Sequence, residues 1–327
     1  MHVKQCVGLK AFERVITLKQ ALALSKFFFN DYFNRITMIT IKGLGTALVT
    51  PFRGGAVDYE AYRMLVRRQV EGGVDFLVPL GSTAETPCLS DEEKRELVKI
   101  TVEESDGKPV VAGVGSNSLP ATIANMRNLE KFGVDAYLVV TPFYNKPTQN
   151  GLYEYFRAVA DSTDRQIIMY NVPSRTGVNM TAETSLKLSA VRNITSIKEA
   201  SGNVAQIIDI KRDAPEGFTV LSGDDDQTLP LMASGADGVI SVASNIAPAK
   251  LKAMISAIGR CDLREAIELN NQLYPLFHAC FVECNPIPVK AALSILGLCE
   301  AEMRLPLTEA TESTRALMKE VLKHIVL

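Results

Sequence analysis

The sequence predicts an α/β chain folded as a closed parallel (β/α)8 TIM barrel with a C-terminal helical layer. Three observations predict it. Eight short apolar runs alternate with stretches whose apolar residues recur three and four apart. Three junctions, Gly73-Val74-Asp75, Gly133-Val134-Asp135 and Gly235-Ala236-Asp237, each put a glycine at a helix end just before an apolar run. No GxGxxG turn follows the first run, as an open doubly wound sheet would require.

In chain order the expected strands are Gly45–Thr50, Val74–Leu80, Val110–Gly115, Asp135–Thr141, Gln166–Asn171, Ile194–Lys198, Thr219–Ser222 and Gly238–Val242. Helices are expected between them, as at Asp91–Glu104 and Ala121–Phe132. Ser90 and Glu93 have the spacing of a capping box, in which each satisfies the other's backbone N–H. Strand signals stop after residue 247, and Ala249–Ile258, Cys261–Phe281 and the segments up to Leu327 read as helices. The expected organisation is an N-terminal extension over 1–37, a barrel over 38–260 and a helical region over 261–327. The extension fits no barrel unit and lacks the Arg-rich, Ser-rich character of a transit peptide. Met38 reads as the biological start, with a short extra helix over 1–37 as the alternative.

Composition excludes several classes of function. With 35 Lys and Arg against 37 Asp and Glu, the chain has no basic footprint for nucleic acid. It has no uninterrupted apolar run of the roughly 20 residues a bilayer span requires. The six cysteines, Cys6, Cys88, Cys261, Cys280, Cys284 and Cys299, show no CxxC spacing and follow no secretory segment, so reduced thiols in a cytoplasmic protein are expected. His2, His278 and His324 lie far apart, so no zinc site is expected, which leaves a carboxylate-held cation as the open metal alternative. Carbonyl chemistry here would then be activated by an amine.

In barrel enzymes reactive groups gather at the C-terminal ends of the strands. The sixth run ends in Lys198 and passes at once into Glu199-Ala200-Ser201-Gly202. A lysine aimed into a barrel mouth is unusual, since most lysines lie solvated on helix faces. An amine of ordinary basicity, with a pKa of about 10.4, is protonated at neutral pH. Removal from water favours the neutral form, which can attack a ketone and form a Schiff base.

The other strand ends supply partners. The fifth puts Tyr170 beside Lys198, within reach for proton transfer. The loop after it carries Arg175, a planar fork for a carboxylate. The second ends in Gly81-Ser82-Thr83, whose N–H and hydroxyl groups suit a small carboxylate, with Thr83 also able to pass protons toward water. The fourth ends in Thr141-Pro142-Phe143-Tyr144, where the aromatic pair is either packing or a source of a phenol. Asp224-Asp225-Asp226 after the seventh reads as a capped turn. No glycine-rich cradle follows the eighth, so small free keto acids are favoured over phosphorylated substrates.

These residues resemble a known family. Gly81-Ser82-Thr83-x-Glu85, Tyr170-Asn171-Val172-Pro173-Ser174-Arg175-Thr176-Gly177 and Ile197-Lys198-Glu199-Ala200 are similar to the pyruvate-dependent class I aldolases, typified by 4-hydroxy-tetrahydrodipicolinate synthase and including N-acetylneuraminate lyase. The resemblance runs from about Gly43 to the C-terminus. It implies Lys198 as Schiff-base former, Tyr170 as proton donor and acceptor, and Thr83 as pyruvate-carboxylate binder. It puts Ser82 where the family's relay usually has a threonine, and Ile240 at a pyruvate-contacting backbone position. Arg175 would bind the carboxylate of aspartate 4-semialdehyde. Tyr144 would enter a neighbour's site across a tight dimer, two such dimers making a homotetramer.

What the resemblance implies is a lyase of diaminopimelate and lysine biosynthesis that condenses pyruvate with aspartate 4-semialdehyde and needs no cofactor. Two alternatives stand beside it: a retro-aldol lyase acting on sialic acid or a 2-keto-3-deoxy sugar acid, and a barrel that binds a keto acid without turnover. Arg175 favours the short acidic aldehyde over a polyhydroxylated chain. Two departures from the family pattern are visible. Ala84 replaces a glycine beside Thr83, tolerable only if its φ is negative. Asp91, Lys94 and Phe143 stand where feedback-inhibited members place the histidines and tyrosine of a lysine site; Asn117 remains, and weak or absent inhibition by lysine is expected.

Overall fold

The computed structural model describes residues 38–325, and the expected extension over 1–37 lies outside the described residues. Eight strands form one parallel sheet: β1 (Gly43–Ala47), β2 (Phe76–Val78), β3 (Val111–Gly113), β4 (Ala136–Val140), β5 (Gln166–Asn171), β6 (Ile194–Glu199), β7 (Thr219–Ser222) and β8 (Gly238–Ser241). The order β2-β1-β8-β7-β6-β5-β4-β3 becomes a ring because Leu77 bridges Val110, joining the two end strands. The expected (β/α)8 barrel is the observed fold.

The Gly-x-Asp junctions explain how the ring starts. Gly73, Gly133 and Gly235 take φ values of 80°, 78° and 104°, in the left-handed range that ends a helix cheaply only for glycine. The aspartate two residues on then reaches sideways to a neighbouring backbone N–H. Asp75 accepts from Leu44, Asp135 from Val110 and Asp237 from Val220, each at 2.8 Å. Lys252 and Lys211 pair with Asp75 and Asp237. One sequence device thus satisfies three N–H groups at the base of the barrel.

The first strand starts two residues before its expected position and ends at Ala47. Gly43 pairs with Gly238, whose backbone approaches so closely that an added Cβ would lie 2.1 Å from the Gly43 carbonyl oxygen. The ladder therefore begins at that contact, and Pro51, with no N–H to give, lies beyond its end. A hairpin of Phe52–Arg53 and Ala56–Val57, turning on Gly54 and Gly55, was not anticipated.

Helices α1 (Tyr59–Glu71), α2 (Asp91–Glu103), α3 (Leu119–Leu129) and α4 (Gln149–Asp161) cover the first half of the barrel. A short turn α5 (Pro173–Thr176), then α6 (Ala182–Ser189), α7 (Val204–Asp213), α8 (Thr228–Ala233) and α9 (Pro248–Gly259) cover the rest. The capping box of α2 forms as the spacing predicts: Ser90 Oγ accepts from the Glu93 N–H, and Glu93 Oε2 accepts from the Ser90 N–H. Beyond the barrel follow α10 (Leu263–Ala279), α11 (Ile287–Ile295) and α12 (Glu312–His324).

Apolar burial is divided by the pleat. Leu44, Leu77, Val139, Ile197 and Val239 face outward against the helices, in one core. Phe76, Val78, Val111, Ile168, Leu221 and Ile240 fill the barrel interior, in another. Two long-range contacts tie the later helices to the barrel mouth. Lys290 of α11 pairs with Glu85 at 2.9 Å, both side chains fully buried. Arg304 pairs with Glu93 at 2.6 Å.

Candidate active site

The site begins with strand alternation. On β6, Ile197 and Glu199 face outward while Lys198 points inward, because successive side chains take opposite faces. Glu199 is buried outside the ring, where its carboxylate accepts hydrogen bonds from Asn171, Gln206 and the Ser201 N–H. Burial still pushes its pKa up against those bonds. Lys198 is 5% exposed and lines a cavity of about 520 Å³ at the C-terminal end of the strands.

Tyr170 of β5 is register-paired with Lys198, and the ammonium nitrogen lies 4.4 Å from its ring centroid. The floor beside Lys198 is held open by Gly223, where an added Cβ would lie 3.2 Å from Lys198 Cε and 2.5 Å from Ala200 Cβ. Glycine is required there by close approach.

Ser82 and Thr83 sit in a short 3-10 turn, Ser82–Ala84, on the opposite wall. Thr86 Oγ1 donates to the Gly81 carbonyl and Thr50 Oγ1 to the Ala84 carbonyl, which fixes the turn from both ends. Ala84 is tolerated because the left-handed residues here are Leu80 (φ 59°) and Glu85 (φ 53°). Thr83 is buried, and its Oγ1 accepts a 3.0 Å hydrogen bond from Asn285 Nδ2. Among the described residues no hydrogen bond joins the Tyr170 hydroxyl to Ser82 or Thr83.

Arg175 stands on α5 at the rim, exposed, with Nη2 donating to the Asn285 carbonyl at 3.4 Å and Nη1 lying 3.9 Å from Cys284 Sγ. Ile240 of β8 lines the interior side of the same cavity. The cavity therefore brings together Lys198, Tyr170, Ser82, Thr83, Arg175 and Ile240, six of the seven residues singled out in the sequence. Tyr144 is the exception. It is 89% exposed with φ 72°, and it lines neither this cavity nor the adjoining one of about 480 Å³.

Several lining residues were not anticipated. Phe281, Val282, Glu283, Cys284 and Asn285 reach the mouth from the segment between α10 and α11. Asp224 also lines the cavity, whereas its run reads in sequence as a capped turn. A short 3-10 turn forms over Asp225–Gln227 but has no side-chain cap; Asp225 Oδ2 instead accepts from the Val242 and Ala243 N–H groups. Burial pushes the Asp224 carboxyl up to about 6, against the pull of the nearby Lys198 cation. Among the described residues no group of three or more His, Cys, Asp or Glu side chains is arranged to hold a metal ion.

A family model described as the dihydrodipicolinate synthetase family matches residues 40–325. The chain belongs to this family. A relative named 4-hydroxy-tetrahydrodipicolinate synthase, from Thermotoga neapolitana, is 47% identical over 288 residues, covering 86% of this chain and 98% of its own. The crystal structure of dihydrodipicolinate synthase from Thermotoga maritima superposes with a TM-score of 0.86 at 44% identity, covering 87% of this chain and 98% of that one. A structure described as the first monomeric dihydrodipicolinate synthase variant has the same TM-score and identity, covering 87% of this chain and 97% of its own.

The second cavity of this dihydrodipicolinate synthetase family member holds residues tied to the expectation about lysine. Lys94 and Phe143 line it, Asp91 lies 3.3 Å from Lys94, and the Asn117 carbonyl accepts from Asn145 Nδ2. Lys94 gives that cavity a cationic side chain.

Proposed function

We propose that this chain condenses pyruvate with L-aspartate 4-semialdehyde to 4-hydroxy-tetrahydrodipicolinate, in the diaminopimelate route to lysine. The observation that supports this most is the pairing of Lys198 with Tyr170 in one cavity that also holds Ser82, Thr83 and the Arg175 guanidinium. The neutral amine of Lys198 attacks the ketone carbon of pyruvate while Ser82 and Thr83 hold its carboxylate. Tyr170 gives a proton to the departing hydroxyl, leaving an iminium. Loss of a methyl proton then makes an enamine, which attacks the aldehyde carbon of a substrate whose carboxylate Arg175 holds. The backbone at Ile240 bounds the pyruvate side. The iminium on Lys198 is itself the electron sink for removal of the methyl proton, so no cofactor enters the scheme.

An exposed Tyr144 suits a residue that completes a neighbour's site across a tight dimer, with two dimers forming a homotetramer. Among the described residues no helix is long and apolar enough to cross a membrane. We assign the protein to the cytoplasm, where its thiols stay reduced. The test is a coupled assay offering pyruvate with aspartate 4-semialdehyde in one arm and sialic acid in the other. Turnover confined to the first arm is expected. Cleavage of sialic acid without condensation would overturn the assignment.

A further inference from the structure

On the outer face of the barrel, the strands that carry Tyr170 and Lys198 hold a second pair. Asn171 of β5 is register-paired with Glu199 of β6, one rung beyond the reacting residues. Both side chains are fully buried. Asn171 Nδ2 donates to both Glu199 carboxylate oxygens at 3.1 Å. Gln206 Nε2 of α7 donates to Oε2 at 3.1 Å, and the Ser201 N–H to Oε1 at 2.8 Å. Among the described residues no lysine or arginine pairs with this carboxylate. Other outward rungs carry Val139, Ile197 and Val239, which meet the helices with no polar side chain to satisfy. A buried carboxylate held only by neutral donors costs stability that an apolar side chain would not. What it supplies in return is direction.

The hydrogen bonds can run only one way. The Met180 N–H donates to Asn171 Oδ1 at 2.9 Å, so Nδ2 must face Glu199. The Ser201 donor is likewise a backbone N–H, which cannot be reversed. Asn171 Nδ2 and Gln206 Nε2 also reach the Met180 carbonyl, at 3.3 Å and 3.2 Å. Met180 belongs to the loop that follows α5, the turn bearing Arg175. One polar cluster therefore joins the end of β5, the end of β6 and the loop after Arg175.

The ladder shows why these strand ends need such a tie. Ile167 pairs with Ile194 but Ile168 with Ser196, a register shift early in the two strands. The first rungs therefore do not by themselves set the register at the far ends, where a slip of one residue would turn Lys198 out of the barrel. A directional pair beside the reacting rung fixes the register where it is used. We propose that Glu199, held by Asn171 and Gln206, is a positioning residue that sets the Tyr170 hydroxyl against the Lys198 amine for proton transfer. The inference rests on the roles given above to Lys198 and Tyr170, and not on which aldehyde is the second substrate.

The experiment therefore needs pyruvate alone. Full-length wild type, E199Q, Q206M, Y170F and E199Q/Y170F are placed in deuterated water, and exchange of the pyruvate methyl protons is followed by NMR. Active sites are counted by borohydride trapping. E199Q is expected to lower the maximal exchange rate per trapped site about tenfold, since small misplacements of reacting groups are costly. Half-saturating pyruvate should stay within about twofold, because Ser82 and Thr83 lie on the opposite wall and outside the cluster. Q206M, which removes one donor and keeps the carboxylate, should lower the rate about threefold, and it carries the test if E199Q does not fold. On the Y170F background E199Q should cost less than about twofold more, because a residue acting through Tyr170 has nothing left to position. Rates per trapped site within twofold of wild type in both single variants would overturn the proposal, leaving the cluster a purely structural one. So would an E199Q loss repeated in full on Y170F. A wild type that is not trapped at Lys198 would instead fail the parent reading.

Discussion

Replacing Lys290 with methionine leaves Glu85 buried without its cation. The two side chains are fully buried and 2.9 Å apart, one on α11 and the other immediately after the Ser82–Ala84 turn. Breaking such a pair from one side costs about 3–5 kcal/mol, because the remaining charge stays out of water. Glu85 keeps one other bond, from the Arg304 N–H at 3.1 Å, so the lower end of that range applies. Lys290 also stands 4.2 Å over the Phe52 ring, a contact the methionine thioether partly replaces. A loss of about 3 kcal/mol is therefore expected for K290M, roughly a hundredfold in the folding constant.

The pair itself contributes far less than its rupture costs. Burial pulls the Lys290 pKa below its ordinary value even with Glu85 beside it. Removing both charges in the double variant E85Q/K290M should thus bring stability back to within about 1 kcal/mol of wild type. Urea unfolding of the four proteins in the cycle measures both numbers. Because Glu85 follows directly on the turn assigned to the pyruvate carboxylate, K290M should also raise KM for pyruvate more than it lowers kcat. A K290M loss under about 1 kcal/mol, or a double variant no more stable than the single one, would refute the reasoning.

Three further outcomes are expected. Y170F should lower kcat by about 10²–10⁴-fold, the usual worth of a positioned proton donor, with pyruvate binding little changed in stopped-flow titrations. Asp224 ionises near 6 in the folded chain against 3.8 as an ordinary carboxyl, so the native state holds its proton longer. Stability tied to this group is full below the unfolded value and lost as pH rises through 6, a change of up to about 3 kcal/mol that D224N should lack in urea unfolding run across that interval. Millimolar L-lysine should leave initial rates within about twofold of the uninhibited value, given Asp91, Lys94 and Phe143 near the second cavity; strong suppression would count against that reading.

The barrel was legible because its signals are local. An apolar run, a glycine at the helix end and an aspartate two residues on repeat at three junctions, and the structure shows each aspartate bonding a neighbouring N–H. Lys198 and Tyr170 were legible as a pair because each ends a strand, and parallel pairing sets strand ends side by side. The C-terminal rim was not legible in this way. Asn285 lies 202 residues from Thr83, and nothing local in Cys284-Asn285-Pro286 marks it as part of a barrel mouth. Its only sequence signal is a polar turn between two helical stretches. The hairpin at Gly54-Gly55 does carry a signal, a glycine pair between short β-type runs. Tyr144 illustrates another limit: the role proposed for it depends on a second chain, which one sequence does not encode locally.

The central claim is that Lys198 forms a covalent bond to pyruvate, and reductive trapping tests it most directly. The protein is incubated with pyruvate and borohydride, digested, and the modified peptide mapped by mass spectrometry, with K198A as control. The account predicts a single pyruvate-derived adduct on Lys198 and none on K198A. An unlabelled protein, or an adduct on any other lysine, would contradict it.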